Sequence, residues 1–464
     1  MVAVKTIWST IKQAVRGERI DYTDESLDRA VVLLAIPMVI EMGMESIFAV
    51  VDAFWVSSLG ADAIAAVGTT EAMMTAVYAL AMGLSAAAAA VVARRIGEKD
   101  ADGAGRAAMQ AIFIGVAIAA LLGTIGAVFG PQLLAALGAS PTIIGAGGNF
   151  TRVMMGGNVT VLLLFLINAI FRGAGDAAIA MRTLVLANAL NIILGPCFIF
   201  GLGPFPRLGV TGAAVATTIG RGIGVLYQIV QLTRARGKLA VARRHVRLDW
   251  PVMATIIRLG ASTSLQAIIS TTSWIGLMAI LESFGAVVVA GYTLAVRVIM
   301  FAILPAWGLS NAAATLVGQN LGAGKPDRAE KAVWIAARYD LLFLGAIGLV
   351  FFMFPGAIIG LFRAGPEVLA VGTSALRIIA IGFPLYAYGL VITSSFNGAG
   401  DTWVPTLINA FCFWLWMIPV AALLGWVLHL GANGAFTAVT IAFSTVAVIS
   451  VLVFRMGRWK NKRV

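Results

Sequence analysis

Residues 35–60 read AIPMVIEMGMESIFAVVDAFWVSSLG, a stretch long and apolar enough to cross a bilayer. It nonetheless carries three carboxylates, Glu41, Glu45 and Asp52, and a proline, Pro37. At about 100° per residue, the step from Glu41 to Glu45 is about 40°, and the step from Glu41 to Asp52 returns to within about 20° of its start. All three acids therefore share one stripe of a helix. A charged carboxylate facing hydrocarbon costs about 2.5 kcal/mol or more, so the stripe has to face protein or water. A rise of about 1.5 Å per residue separates Glu41 from Asp52 by roughly 16 Å, which makes them successive stations and not one site. The alternative for each acid is a fixed Asn, Thr or Arg partner on a neighbouring helix.

The rest of the chain has the same character. Of its 464 residues, 60% are hydrophobic and 12% charged, against about a quarter charged in an ordinary soluble domain. The net charge of +12 would suggest nucleic acid in a soluble protein, but here the basic residues fall between apolar segments and read as topology signals, with no nucleic-acid partner. Two cysteines, Cys197 and Cys412, lie inside apolar segments, and two histidines, His245 and His429, are too few for a histidine metal site or triad. Val4 to Val15 has the spacing of a short helix on the membrane surface. No cleavable leader pattern precedes the first span, which is expected to act as its own insertion signal.

Twelve apolar segments recur, at 31–58, 64–93, 104–130, 145–171, 178–201, 209–234, 250–281, 287–317, 328–356, 368–396, 403–427 and 431–456. Lys and Arg crowd alternate connections: Lys5, Lys12, Arg16 and Arg19; Arg94, Arg95, Lys99 and Arg106; Arg172 and Arg182; 234–247, including Arg236 and Lys238; 325–338; and the tail, including Arg463. The positive-inside rule then puts both termini in the cytoplasm of a multi-pass protein of the cytoplasmic (inner) membrane. Arg152, Arg221 and Arg377, at or near span ends, are expected to snorkel.

The chain also repeats at an offset of 225, with Gly60 on Gly285, Gly83-Leu84-Ser85 on Gly308-Leu309-Ser310, Gly157 on Gly382, and Phe171-x-Gly173-Ala174-Gly175-Asp176 on Phe396-x-Gly398-Ala399-Gly400-Asp401. The expected architecture is an all-α polytopic membrane protein, twelve transmembrane helices in two six-helix bundles related by a pseudo-two-fold axis along the membrane normal. Its parts are a cytoplasmic N-terminal segment 1–30, a first lobe 31–234, a linker 235–249, a second lobe 250–456 and a tail 457–464. Two parallel bundles leave a cleft that can open to either side. The halves differ in their acids: Glu41 becomes Gln266, Glu45 becomes Ser270 and Asp52 becomes Leu277. Only the first half is then expected to respond to cations. Glu71 and Arg297 occupy nearly matching places in the two halves, as an ion pair across the cleft, as a greeting for a cationic substrate, or with separate local partners.

The chain resembles the MATE family of multidrug and toxic compound extrusion transporters, and its DinF-like branch more than its NorM-like branch. The residues that carry the resemblance are Pro37 with Asp52, Ser58-Leu59-Gly60-Ala61, Gly83-Leu84-Ser85, Ala93-Arg94-Arg95-Ile96-Gly97, both Gly-Ala-Gly-Asp runs, Asn191-Ile192-Ile193-Leu194 and Gly212-Ala213-Ala214-Val215-Ala216-Thr217. The resemblance implies a non-enzymatic antiporter that expels organic, cationic or amphiphilic small molecules against H⁺ or Na⁺. It implies a cation site at Asp52, helped by Asn191 and Thr217, with Pro37 letting the first helix bend. Glu41 and Glu45 are candidate additional acids, and Gln266, Glu71 and Arg297 are candidates for the substrate cavity or gate between the lobes. The family usually carries an Asp where this chain has Gly195, which favours H⁺ over a tight Na⁺ site needing several hard oxygens. No cofactor is implied, and the protein is expected to be a monomer in the bilayer. The runner-up is a flippase for a lipid-linked precursor. A remote alternative, an intramembrane aspartyl protease, rests on Asp176, Asp401 and the Tyr339-Asp340 dipeptide; the acids are instead expected to cap the next helix.

Overall fold

A computed structural model describes residues 2–18, 20–234 and 239–462, so the basic residues Arg19, Arg236, Lys238 and Arg463, and the first part of the linker, lie outside the described residues. The elements are α1 Val2–Arg16, α2 Leu27–Ser57, α3 Ala61–Gly97, α4 Ala101–Ala136, α5 Pro141–Gly156, α6 Asn158–Ala174, α7 Ala177–Phe200 and α8 Val210–Thr233. They continue with α9 Trp250–Glu282, α10 Ala286–Gly322, α11 Pro326–Met353, α12 Pro355–Gly360, α13 Pro366–Ala380, α14 Phe383–Ala399, α15 Trp403–Asn409, α16 Ile418–Ala422 and α17 Gly431–Arg455. Wide π-helical turns at Ala410–Met417 and Leu423–Val427 join α15 and α16 into one span.

Ten of these segments are long and apolar enough to cross a membrane, and two bent pairs, α5 with α6 and α13 with α14, bring the total to twelve. The spans read from hydropathy are thus all present, but the fourth and tenth are broken, by 40° and 59°. Both breaks fall on one repeat position, Gly157 and Gly382. A Cβ on Gly157 would lie 2.8 Å from the Thr218 side chain, and one on Gly382 would lie 3.0 Å from that of Thr440. The second break is sharper, and Pro384 stands just beyond it, where it removes an N–H and crowds the preceding turn; its counterpart is Val159.

The Gly-Ala-Gly-Asp runs are helix terminators. Gly175 (φ 84°) and Gly400 (φ 83°) are left-handed. The Asp176 N–H donates to the Phe171 carbonyl (2.8 Å) and that of Gly175 to Arg172 (2.9 Å); Asp401 and Gly400 repeat the pattern on Phe396 and Asn397. This double bond is the Schellman closure, which demands a residue tolerant of positive φ. Neither acid caps the next helix as expected. Asp176 makes no side-chain cap bond, and Asp401 pairs with Lys462 Nζ at 3.0 Å.

The first glycine of each run serves helix contact. A Cβ on Gly173 would lie 2.5 Å from the Ala89 carbonyl oxygen, and one on Gly398 would lie 2.7 Å from Ala314 Cα, the same contact one repeat later. Gly173→Ala and Gly398→Ala are each expected to cost about 1–3 kcal/mol by forcing the helices apart. Thermal unfolding in detergent checks this, and a wild-type midpoint for either variant would refute the close-contact account.

The chain divides into two compact units. The first takes the N-terminal helix and Ile40–Ser264; the second takes Ile20–Val39 and Leu265–Val464. The cuts fall after Val39 and Ser264, which are one repeat apart. Local contacts explain them. In the first unit a Cβ on Gly83 would meet the Ser264 backbone nitrogen at 2.5 Å, and in the second a Cβ on Gly308 would meet that of Val39 at 2.7 Å. Thr263 Oγ1 also donates to the Gly83 carbonyl (2.8 Å). In the second unit, residues 20–39 are fastened to α11 and the residue before it: Lys325 pairs with Asp24, Arg338 with Asp28 (3.0 Å), and Arg328 donates to the carbonyls of Tyr22 and Glu25.

Candidate functional site

The acidic stripe lies on the part of α2 that belongs to the first unit, just beyond Pro37. As a helix-interior proline, Pro37 has no N–H to give the Leu33 carbonyl, and it stands two residues before the boundary at Val39. Glu41, 1% exposed, accepts from Arg172 Nη1 (2.5 Å) and Asn168 Nδ2 (3.1 Å). Those two donors stand one turn apart on α6. Asn168 in turn accepts from Gln228 Nε2 of α8 at 2.6 Å, so the acid heads a polar chain through the unit.

Glu45 accepts from Arg221 Nη2 at 3.1 Å. Arg221 was expected to snorkel at a span end; it lies instead midway along α8, 3% exposed, its guanidinium 5.2 Å from the Phe48 ring centre and 5.7 Å from that of Phe165. Arg172, read as a loop charge, is likewise inside α6 and buried. Counting charges between apolar runs cannot distinguish a loop cation from one drawn into a helix by a buried acid. The pattern that carries the information is Asn168 and Arg172 four apart, facing an acid.

Asp52 differs from its two neighbours on the stripe. It is partly buried, and among the described residues it makes no hydrogen bond or ion pair. Glu71 of α3 and Arg221 are the charges that act on it. Asn191 of α7 and Thr217 of α8 are brought together, Nδ2 donating to Oγ1 at 2.7 Å, with both side chains buried. Gly195, one turn further along α7, is buried; a Cβ there would touch Trp55 Cδ1 at 3.7 Å, and the buried Trp55 Nε1 has no acceptor. Glu71 is exposed on the first unit and Arg297 exposed on the second.

The repeat partner of the Glu41–Arg172 pair is a neutral one. Gln266 stands at 41 + 225 and Asn397 at 172 + 225, and Asn397 Nδ2 donates to Gln266 Oε1 at 3.3 Å. One geometry is therefore built twice, once from charges and once from amides.

Twelve spans in a duplicated chain, with acids and arginines paired inside one helical unit, define a polytopic membrane transporter. The chain belongs to the MatE family, whose profile matches residues 37–197 and again 263–423. It is 26% identical to "Probable multidrug resistance protein NorM" of Thermotoga maritima over 446 residues, 94% of each chain. It is 28% identical to "FAD transporter" of Shewanella oneidensis over 381 residues, 81% of this chain and 83% of that one. Among solved structures, "Outward-facing conformation of a multidrug resistance MATE family transporter of the MOP superfamily" superposes with a TM-score of 0.88 at 26% identity, covering 95% of this chain and 98% of that one.

Proposed function

We propose that this multidrug efflux transporter is a secondary antiporter, exporting organic cationic or amphiphilic compounds by alternating access in exchange for a cation bound at Asp52. The observation that carries the reading is the unequal pairing along the stripe: Glu41 and Glu45 each hold an arginine, whereas Asp52 holds none. An acid with a fixed counter-charge is expensive to change, while one without can take and release a cation cheaply. Asn191 and Thr217, bonded to each other in the same unit, supply the further polar groups the exchange calls for, and Pro37 lets α2 bend as Asp52 changes state. Glu71, Arg297 and Gln266 contribute to the substrate path. A proton needs only one carboxyl, so H⁺ is favoured over Na⁺. Its Lys- and Arg-rich connections favour an inner-membrane orientation with both termini cytoplasmic, and the proposed exchange needs no more than one chain.

Reconstitution in liposomes tests the proposal, with a pH gradient and a Na⁺ gradient imposed separately and ethidium followed by fluorescence. Accumulation driven by the pH gradient is expected; indifference to both gradients would sink the reading. Gly195→Asp is expected to add a Na⁺ response, since it places a second carboxyl beside Trp55. A variant that still answers only to pH would show that a second acid there does not make a Na⁺ site.

A second reading, export of an anionic compound, is favoured by one observation: among the described residues the buried Arg221 guanidinium meets Glu45 through Nη2 alone and has the Tyr78 phenol beside it, which leaves N–H capacity for an anion. The relative named FAD transporter is compatible with such a substrate. Competition of flavin nucleotides with ethidium for transport separates the two readings.

A further inference from the structure

The three acids of α2 have no counterpart in the second unit, but that unit holds an acid of its own. Asp340 lies midway along α11, with a relative exposure of 0%, and among the described residues neither carboxyl oxygen has a hydrogen-bond partner. Its repeat position in the first half is Gly115, where a Cβ would strike Leu166 at 2.7 Å, so the acid is not an inherited feature of the duplicated scaffold. Among the described residues the neighbouring helices bring it no ion pair. Arg377 of α13 donates to the Phe352 carbonyl, Arg297 of α10 is exposed, and the phenol of Tyr386 on α14, which also contacts Trp307 of α10, feels the Asp340 charge.

Tyr386 also lines a cavity of about 40 Å³ within the second unit, together with Trp274, Tyr292, Ile299, Phe383 and Phe443. Such a space has room for a small number of waters, each needing about 10–15 Å³ by the same measure, and in its largely apolar wall the polar groups that could hold them are those of Tyr292, Tyr386 and Thr440. The Tyr292 hydroxyl, another lining group, is buried without a partner and would suit one of them. Gly382, at the break of the tenth span, forms part of the wall.

We propose that Asp340 is a second proton-binding site, within the second unit, reached from this cavity past Tyr386. An isolated carboxylate sealed from water without a donor is so costly that the group takes up a proton instead. The step makes one O–H bond at an Asp340 oxygen as one O–H bond of a hydronium in the cavity breaks and leaves water behind, and release runs the same exchange in reverse. The site's place in transport rests on the proposed cation exchange, whereas its occupancy does not.

The test uses the full chain in lipid and infrared spectroscopy of the protonated-carboxyl stretch. Asp340→Asn, which keeps the shape of the side chain, is expected to remove a band that shifts in D₂O and that survives in Asp52→Asn. A spectrum unchanged by Asp340→Asn overturns the proposal. In vesicles with an acid lumen, losing one coupled proton is expected to lower the limiting ethidium accumulation about tenfold per unit of pH gradient. Loss of the band with unaltered accumulation would make Asp340 a resident acid and overturn its part in coupling. If the wild-type protein ignores the gradient, the antiport reading fails, and the band still decides the site.

Discussion

Replacing Arg172 with methionine is expected to destabilise the protein by about 3–5 kcal/mol, because it strands the Glu41 carboxylate inside the first unit. The pair is close, at 2.5 Å, and both side chains are nearly sealed from solvent, 1% and 11% exposed. Only Asn168 would remain as a donor, and a neutral amide cannot offset a full buried charge. The second half indicates the rescue. Glu41→Gln with Arg172→Asn rebuilds the Gln266–Asn397 arrangement at the matching positions. The double variant is expected to recover most of the loss. Unfolding in detergent measures all three proteins, and a double variant no more stable than Arg172→Met would refute the equivalence of the two pairs.

Asp52→Asn is expected to abolish cation-driven efflux while leaving expression and folding intact. Asparagine keeps the shape of the side chain, and no arginine is stranded because none is paired there. With one proton coupled, the loss amounts to about a tenfold fall in limiting dye accumulation per unit of pH gradient. Glu45→Gln is the informative contrast: it removes the carboxylate paired with buried Arg221, so it is expected to lower stability, which Asp52→Asn does not. Undiminished drug resistance in cells carrying Asp52→Asn would remove Asp52 from the mechanism.

The spans were legible because crossing a bilayer requires some twenty apolar residues, a property that composition displays directly. The duplication was legible because glycines such as Gly83 and Gly308, or Gly173 and Gly398, are held by backbone contacts that tolerate no Cβ. The breaks at Gly157 and Gly382 were hidden in runs whose hydropathy does not change there. Arg172 and Arg221 were misassigned because a charge near an apolar run looks the same whether it lies in a loop or beside a buried acid. Asp340 was weighed only as part of the Tyr339-Asp340 dipeptide, because the halves were compared at the acids of the first and its partner position is a glycine.

The cuts after Val39 and Ser264 bear on how the protein is made. Unit one is incomplete until the ribosome has released the opening turns of α9, and unit two needs a segment, residues 20–39, synthesised before any other part of it. Unit one can therefore close only after the connection between the two halves has been made, and unit two only when nearly the whole chain exists. Genes split between 234 and 250 would yield fragments each missing a strip of its own interior, recoverable only by co-expression.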